Sequence, residues 1–154
     1  AVLPFMMKRR RGKIINMSGG GATHPRPRFS AYSASKAAVV RLTETLSEEV
    51  KEFNIQVNAI APGAVNTRML DEVLVAGQNA GEKALTEARR QKQAGGVSPD
   101  IPAALAVFLA SDDSNGMTGR LISAVWDDWQ AMAGRIPDIL SSDMYTLRRI
   151  SPRK

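Results

Sequence analysis

Tyr32 and Lys36 stand four residues apart in a run of helix-forming residues, so their side chains fall on one helical face. A phenol ordinarily titrates near about 10, too high to exchange protons readily at neutral pH. A neighbouring ammonium favours the phenolate, which suits the phenol to general acid/base work on an alcohol or a carbonyl. Taken alone, the pair more often means a tyrosine and a lysine stacked on a surface, so its chemistry depends on the surroundings. Other chemistries have little to work with. The sequence has no cysteine and one histidine, His24, which removes thiol nucleophiles, thiolate metal sites and the commoner zinc patterns. No metal site is expected.

The elements that must position the pair can be read from the hydrophobic pattern. Lys13–Met17 is a β-branched run between Gly12 and the Gly19–Gly21 cluster, and it reads as a buried strand. A helix is predicted from about residue 30 to 53. Leu42, Leu46, Val50 and Phe53 form its apolar stripe, and Ala31, Ala34, Ala37 and Ala38 give its first half a small-residue face. Ile55–Ile60 reads as a second strand, broken by Pro62-Gly63. Residues 68–95 look like a helical insertion punctuated by Gly77, Gly81, Gly95 and Gly96. Ser98-Pro99-Asp100 offers an N-cap, a first-turn proline and an early acid for a helix reaching about Ser111. Leu121–Val125 is a third strand, and from Trp126 onward no pattern is readable. Strands alternating with helices imply an α/β fold with a parallel sheet, whose ligand chemistry gathers at the carboxyl ends of its strands. Ser18 and the segment Asn58–Thr67 lie at or just beyond two such ends.

Three blocks, Gly12–Ser18, Tyr32–Val39 and Val57–Thr67, occur in an order and spacing that resemble the short-chain dehydrogenase/reductase family. The resemblance covers roughly residues 1–125 and implies the C-terminal part of a Rossmann-like, doubly wound parallel sheet. Residues 1–125 would form a partial catalytic domain and 126–154 a C-terminal tail. It implies hydride transfer between a nicotinamide cofactor, NAD or NADP without distinction, and a secondary alcohol or carbonyl. Tyr32 would exchange the proton with the substrate oxygen, and Lys36 would assist it and bind the nicotinamide ribose. Ser18 would hydrogen-bond the substrate oxygen, an oxyanion-type contribution. Pro62 and Gly63 would bring backbone close to the nicotinamide, with the Val65 backbone and Thr67 on its carboxamide. Asn58 would hold strands and loop in place. The partners implied are a small alcohol or carbonyl substrate and, in a full-length form, further copies of the chain. The alanine-faced helix would be the contact surface.

Several positions depart from the family pattern. The family serine usually stands thirteen residues before the tyrosine, where this chain has Gly19; Ser18 stands fourteen before. The glycine run is expected to absorb the extra residue, which keeps Ser18 in the site. The glycine-rich phosphate loop of the family is not found in residues 1–154, and Gly19–Gly21 lacks its spacing. A missing front end is expected on that ground, with weak dinucleotide binding as its consequence. Near the end, Trp126-Asp127-Asp128-Trp129 replaces the usual Asp-Gly-Gly, which unsettles the substrate pocket more than the chemistry. Arg68 and Arg120 are candidates to meet an anionic substrate, with a surface or salt-bridged role as the plainer reading. His24, in a Pro/Arg loop, is expected to be exposed.

The 154 residues suit one domain, and 44% hydrophobic residues with 5% aromatics imply an aliphatic core. The net charge of +6 comes in runs at Lys8–Arg11, Arg89–Lys92 and Arg148–Lys154. The first two lack interleaved aromatics, so they read as solvated turns; neither nucleic acid nor a membrane is the expected partner. The longest apolar run, Ile101–Ala110, is too short to span a bilayer. The composition is compatible with a reducing cytoplasm, the expected location. Three other readings stay open: an inactive fragment, a non-enzymatic basic binding protein, and a sugar-nucleotide epimerase or dehydratase. The Asn58–Thr67 block resembles the simple reductases rather than the last of these.

Overall fold

A short helix α1 (Leu3–Arg9) leads into strand β1 (Gly12–Met17), followed by the long helix α2 (Ser30–Glu49) and strand β2 (Ile55–Ala61). Helices α3 (Arg68–Ala76), α4 (Glu82–Ala94) and α5 (Asp100–Ala110) precede strand β3 (Leu121–Ser123) and a last helix α6 (Ile136–Leu140). This computed structural model describes residues 1–151; Arg153 and Lys154, the end of the last basic run, lie outside the described residues. Among the described residues no helix is long and apolar enough to cross a membrane.

The three strands form a parallel sheet in the order β1-β2-β3, with Gly12 opposite Ile55, Met17 opposite Ile60 and Ala59 opposite Leu121. β2 is central and buried along six of its seven residues, and its two buried amides, Gln56 and Asn58, are hydrogen-bonded to Asn54 and to the Met117 and Arg120 backbone. β3 is shorter than the sequence suggests. Ser123 ends it by accepting the Trp126 N–H on Oγ, while Asp127 accepts the Ser123 N–H at 2.7 Å, so the chain turns before Val125.

Of the predicted apolar stripe, Leu46, Val50 and Phe53 pack with Ile55 and Val57 as expected, and helix α2 departs from it further toward its start. Leu42, placed on the predicted core stripe, is 58% exposed, and the buried positions are Val40, Thr43, Glu44 and Ser47. Small polar side chains let helix and sheet approach closely, and each satisfies itself locally. The hydroxyls of Thr43 and Ser47 donate to the carbonyls of Val39 and Glu44 at 2.8 and 2.7 Å. Asn16 of β1 adds a bond to Thr43 at 2.9 Å, fixing α2 against the strand whose end carries the site.

The main core joins Ile60 and Ile122 to Leu105, Leu109 and Met117, and it also includes Met132, Ile136 and Ile139 from beyond residue 126. The unreadable tail thus covers one face of the sheet. Two buried polar residues fasten it. Arg120 donates to the carbonyls of Ile139, Leu140 and Ser142, and burial pushes its guanidinium below the ordinary range. Glu44 accepts from the Leu147 N–H at 2.7 Å and from Arg148 at 3.2 Å. Slight burial lowers Arg148, but attraction to Glu44 and Asp143 outweighs it and holds the guanidinium above its usual range.

Helices α3 and α4 belong to a separate cluster of Leu70, Val73, Ala80, Ala84 and Ala88, against which Phe29 and Leu74 pack. The predicted insertion is therefore a helical hairpin broken at Gly77–Gly81. It folds over the loop that leads into α2.

Candidate active site

A cleft of about 850 Å³ opens at the carboxyl ends of β1 and β2, walled by the start of α2, the Pro62–Thr67 loop and the α3–α4 hairpin. Ser18, Tyr32, Lys36, Pro62, Gly63, Val65 and Thr67 all line it.

The first turns of α2 are set by the loop before it. Arg28 adopts a left-handed backbone (φ 69°) and donates to the carbonyls of Gln78 and Asn79 at 3.2 and 3.3 Å, tying the loop to the hairpin. Phe29 then caps the helix, and its ring packs edge-on to Tyr32 with centroids 6.5 Å apart. Tyr32 is half-buried, and its phenol lies against the glycine run. A Cβ on Gly19 would meet the phenol oxygen at 2.8 Å, and one on Gly21 would meet ring carbon Cε1 at 2.8 Å. Gly19 and Gly21 are therefore a socket for the phenol, whose ring fills the space that side chains would otherwise take.

One turn along, Lys36 donates from Nζ to the Met17 carbonyl at 3.2 Å, and its ammonium sits 5.8 Å from the Tyr32 ring centroid. The strand end thus pins the ammonium beside the phenol. An ammonium has three donors, so Lys36 keeps others to offer into the cleft.

Ser18 extends β1, donating its N–H to the Ile60 carbonyl at 2.8 Å. Its side chain is almost fully buried, and Oγ donates to the Lys36 carbonyl at 3.1 Å. The structure brings Tyr32 and Lys36 together, yet it turns the Ser18 hydroxyl toward the α2 backbone. Gly19 is the residue that faces the phenol oxygen. Ser18 stays in register with the sheet, and the chain leaves it through Gly19 into a single 3-10 turn, Gly20–Ala22.

On the opposite wall, Gly63 has φ 86° and lies so close to Val125 that a Cβ would come within 2.5 Å of it. Only glycine fits there without strain. The loop beyond is braced on both sides. Val65 bridges to Val97, and Gln91 of α4 donates to the Ala64 carbonyl at 2.9 Å and to Asn66 at 3.1 Å. Thr67 is exposed and extended, and its carbonyl accepts the Leu70 N–H at 2.9 Å as α3 begins. Asn58 is a brace, as the sequence suggested. Its amide donates to Met117 O at 2.8 Å and accepts the Arg120 N–H at 3.1 Å.

Neither arginine weighed for an anionic substrate reaches the cleft. Arg68 pairs with Glu72 one turn along on the exposed surface, and Arg120 is buried among carbonyls. His24 is exposed, with Nδ1 2.9 Å from the Thr23 hydroxyl. Among the described residues no cluster of potential metal ligands occurs. Sequence reasoning missed Arg26. Its guanidinium lies 4.1 Å from the Phe29 ring centroid and 5.8 Å from that of Tyr32, inside the cleft. The spacing Arg26, Phe29, Tyr32 was the available signal.

A family model described as short chain dehydrogenase matches residues 1–77, half of the 154-residue chain. The chain belongs to the short-chain dehydrogenase family. The matched stretch contains the glycine socket, Tyr32, Lys36 and the whole Pro62–Thr67 loop. Among curated relatives, the 3-oxoacyl-[acyl-carrier-protein] reductase FabG of Thermotoga maritima is 36% identical over 121 residues, which are 79% of this chain and 47% of that protein. Among solved structures, a gluconate 5-dehydrogenase from Burkholderia cenocepacia in complex with NADP and tartrate is similar with a TM-score of 0.65 and 29% identity. That likeness covers 79% of this chain and 46% of the other. A 3-oxoacyl-[acyl-carrier protein] reductase with bound NAD from Brucella melitensis gives a TM-score of 0.60 and 28% identity, covering 79% and 42%. This short-chain dehydrogenase chain spans about half the length of the curated relatives it matches. Its α/β sheet is of the Rossmann type that those neighbours carry.

Proposed function

We propose that residues 1–125 carry the catalytic portion of an NAD- or NADP-dependent oxidoreductase that interconverts a secondary alcohol and a carbonyl. The observation that carries this reading is the placement of Tyr32 and Lys36. The phenol is seated in the Gly19/Gly21 socket and the ammonium is pinned to the Met17 carbonyl beside it, both on the wall of one cleft.

The chain's own residues fit the nicotinamide end of a dinucleotide. Gly63, seated on Val125 with a positive φ that suits glycine, turns the Pro62–Gly63 backbone along the cleft wall, and Thr67 and Lys36 add polar side chains to the same lining. When bound, the dinucleotide supplies or accepts the hydride. Tyr32 gives its proton to the carbonyl oxygen in reduction and takes it from the alcohol in oxidation. Lys36 stabilises the phenolate by its charge and offers its remaining N–H groups to ribose hydroxyls. The Val65 backbone and Thr67, on the cleft wall, would hold the carboxamide. The glycine run is already filled by the phenol, so it offers no cradle to the pyrophosphate. Residues 1–154 are therefore expected to bind NADH and NADPH weakly. Calorimetry on the 154-residue chain should give no micromolar affinity, and a micromolar Kd would contradict this.

In this reading Ser18 is a positioning residue that holds the Lys36 carbonyl and, through it, the first turns of α2. Losing a true oxyanion donor costs about a hundred- to a thousandfold in turnover. Ser18→Ala is instead expected to lower turnover by about tenfold or less, the worth of one hydrogen bond. Turnover at saturating dinucleotide decides between the two roles. The family reading itself is tested by following reduced-dinucleotide oxidation during carbonyl reduction in the parent chain and in Tyr32→Phe. Subunit association, which the exposed alanines Ala31, Ala34 and Ala38 of α2 would serve, belongs to the same proposal.

A further inference from the structure

The cleft contains a cation that the chemistry above does not use. Arg26 is half-buried, and among the described residues it makes neither an ion pair nor a side-chain hydrogen bond. Its position in the loop contrasts with that of its neighbour Arg28, which is spent on the Gln78 and Asn79 carbonyls. Phe29 holds the Arg26 guanidinium by its face at 4.1 Å, and Tyr32 flanks it at 5.8 Å. Stacking on an aromatic ring attracts a guanidinium and fixes its plane, yet leaves all its N–H donors free. A fixed, unpaired fork of donors beside a general acid/base is suited to a carboxylate on the same molecule as the reacting oxygen.

We infer that the cleft selects substrates bearing a carboxylate a few bonds from the carbonyl or alcohol carbon, and that Arg26 determines this specificity. The inference rests on the reading of Tyr32 as the group that meets the substrate oxygen. With the reacting oxygen at the phenol, a carboxylate a few bonds away would be within reach of the guanidinium, which lies 5.8 Å from the Tyr32 ring centroid. The carboxylate then replaces water as the partner of Arg26. A neutral analogue leaves the fork solvated and gains nothing. The α3–α4 hairpin shields this corner through the packing of Phe29 on its apolar cluster, which strengthens the pairing relative to open solvent.

The test needs no dinucleotide. The full chain, labelled with carbon-13 in its tyrosine rings, is titrated with 3-hydroxybutyrate and separately with the uncharged 3-hydroxybutyramide. Tyr32→Phe assigns the Tyr32 signal against Tyr145, the other tyrosine. The carboxylate should shift the Tyr32 signal with a Kd about tenfold below that of the amide, the worth of one charge-assisted hydrogen bond. Arg26→Gln should bring the two probes to parity, and Arg26→Lys should keep part of the preference. The Tyr145 signal reports whether each variant is folded. Equal shifts from both probes in the parent chain, or a preference that survives Arg26→Gln, would overturn the role of Arg26 while leaving the cleft as the substrate site. A Tyr32 signal that neither probe moves would overturn this inference and the reading of the cleft together.

Discussion

Replacing Tyr32 by Phe is expected to lower carbonyl reduction by about a thousandfold, the middle of the range for a positioned general acid. The variant keeps the ring that fills the Gly19/Gly21 socket and packs on Phe29, and loses one oxygen. Stability should change little for that reason, so the loss is chemical. Lys36 remains pinned to the Met17 carbonyl, and it has no hydrogen-bond partner role in the ring that Phe would disturb. The measurement is turnover at saturating dinucleotide and substrate, beside a thermal melt of each chain. A fall of less than about tenfold with an unchanged melt would place the proton transfer elsewhere.

Gly19→Ala is expected to be the next most damaging change, although it adds one methyl group. The Cβ would stand 2.8 Å from the phenol oxygen, so one of the two must move. The phenol has no easy retreat, since Gly21 lies against its ring carbon and Phe29 closes the other side. The backbone of Gly19 is extended (φ 169°), a conformation alanine adopts freely, so the effect is steric and local. Displacing a catalytic group by about an ångström costs on the order of a hundredfold, and that is the expected loss in turnover. Gly20 supplies the control. A Cβ there meets nothing within 4 Å, so Gly20→Ala should retain turnover within a few-fold. Equal losses in the two variants would mean that the glycines act through loop flexibility and not as a socket.

The parts of this site that were legible in the sequence are those set by local periodicity. The four-residue spacing of Tyr32 and Lys36 needs only a helix to bring both to one face, and the runs at Lys13–Met17 and Ile55–Ile60 both form strands, although only the central β2 is buried and the edge strand β1, expected to be buried, is half-exposed. Pro62-Gly63 marks a strand end by the same local logic. What was hidden depends on contacts between distant segments. Whether Ser18 or Gly19 faces the phenol is settled by the register of β1 on β2, because the Ser18 N–H continues the ladder to Ile60 and turns its side chain inward. Of the predicted apolar stripe, Leu46, Val50 and Phe53 pack in the core with Ile55 and Val57, and Leu42 alone fails. Close packing on the sheet instead selects the smaller Thr43 and Ser47, whose hydroxyls are satisfied within the helix. Residues beyond Trp126 show no period because they enter the core as short 3-10 and helical pieces around Met132, Ile136 and Ile139. Arg26 was overlooked for a similar reason: a loop arginine looks solvated until Phe29 and Tyr32 are seen to hold it.

The most direct measurement of the central claim is isotope transfer. The 154-residue chain is incubated with acetoacetate or neutral butanedione and with millimolar NADH or NADPH deuterated at the transferable position, and the alcohol is analysed by mass spectrometry. Deuterium on the new carbinol carbon in the parent chain, and its near absence with Tyr32→Phe, is the predicted result. An unlabelled product, or equal labelling by the parent and Tyr32→Phe, would contradict it.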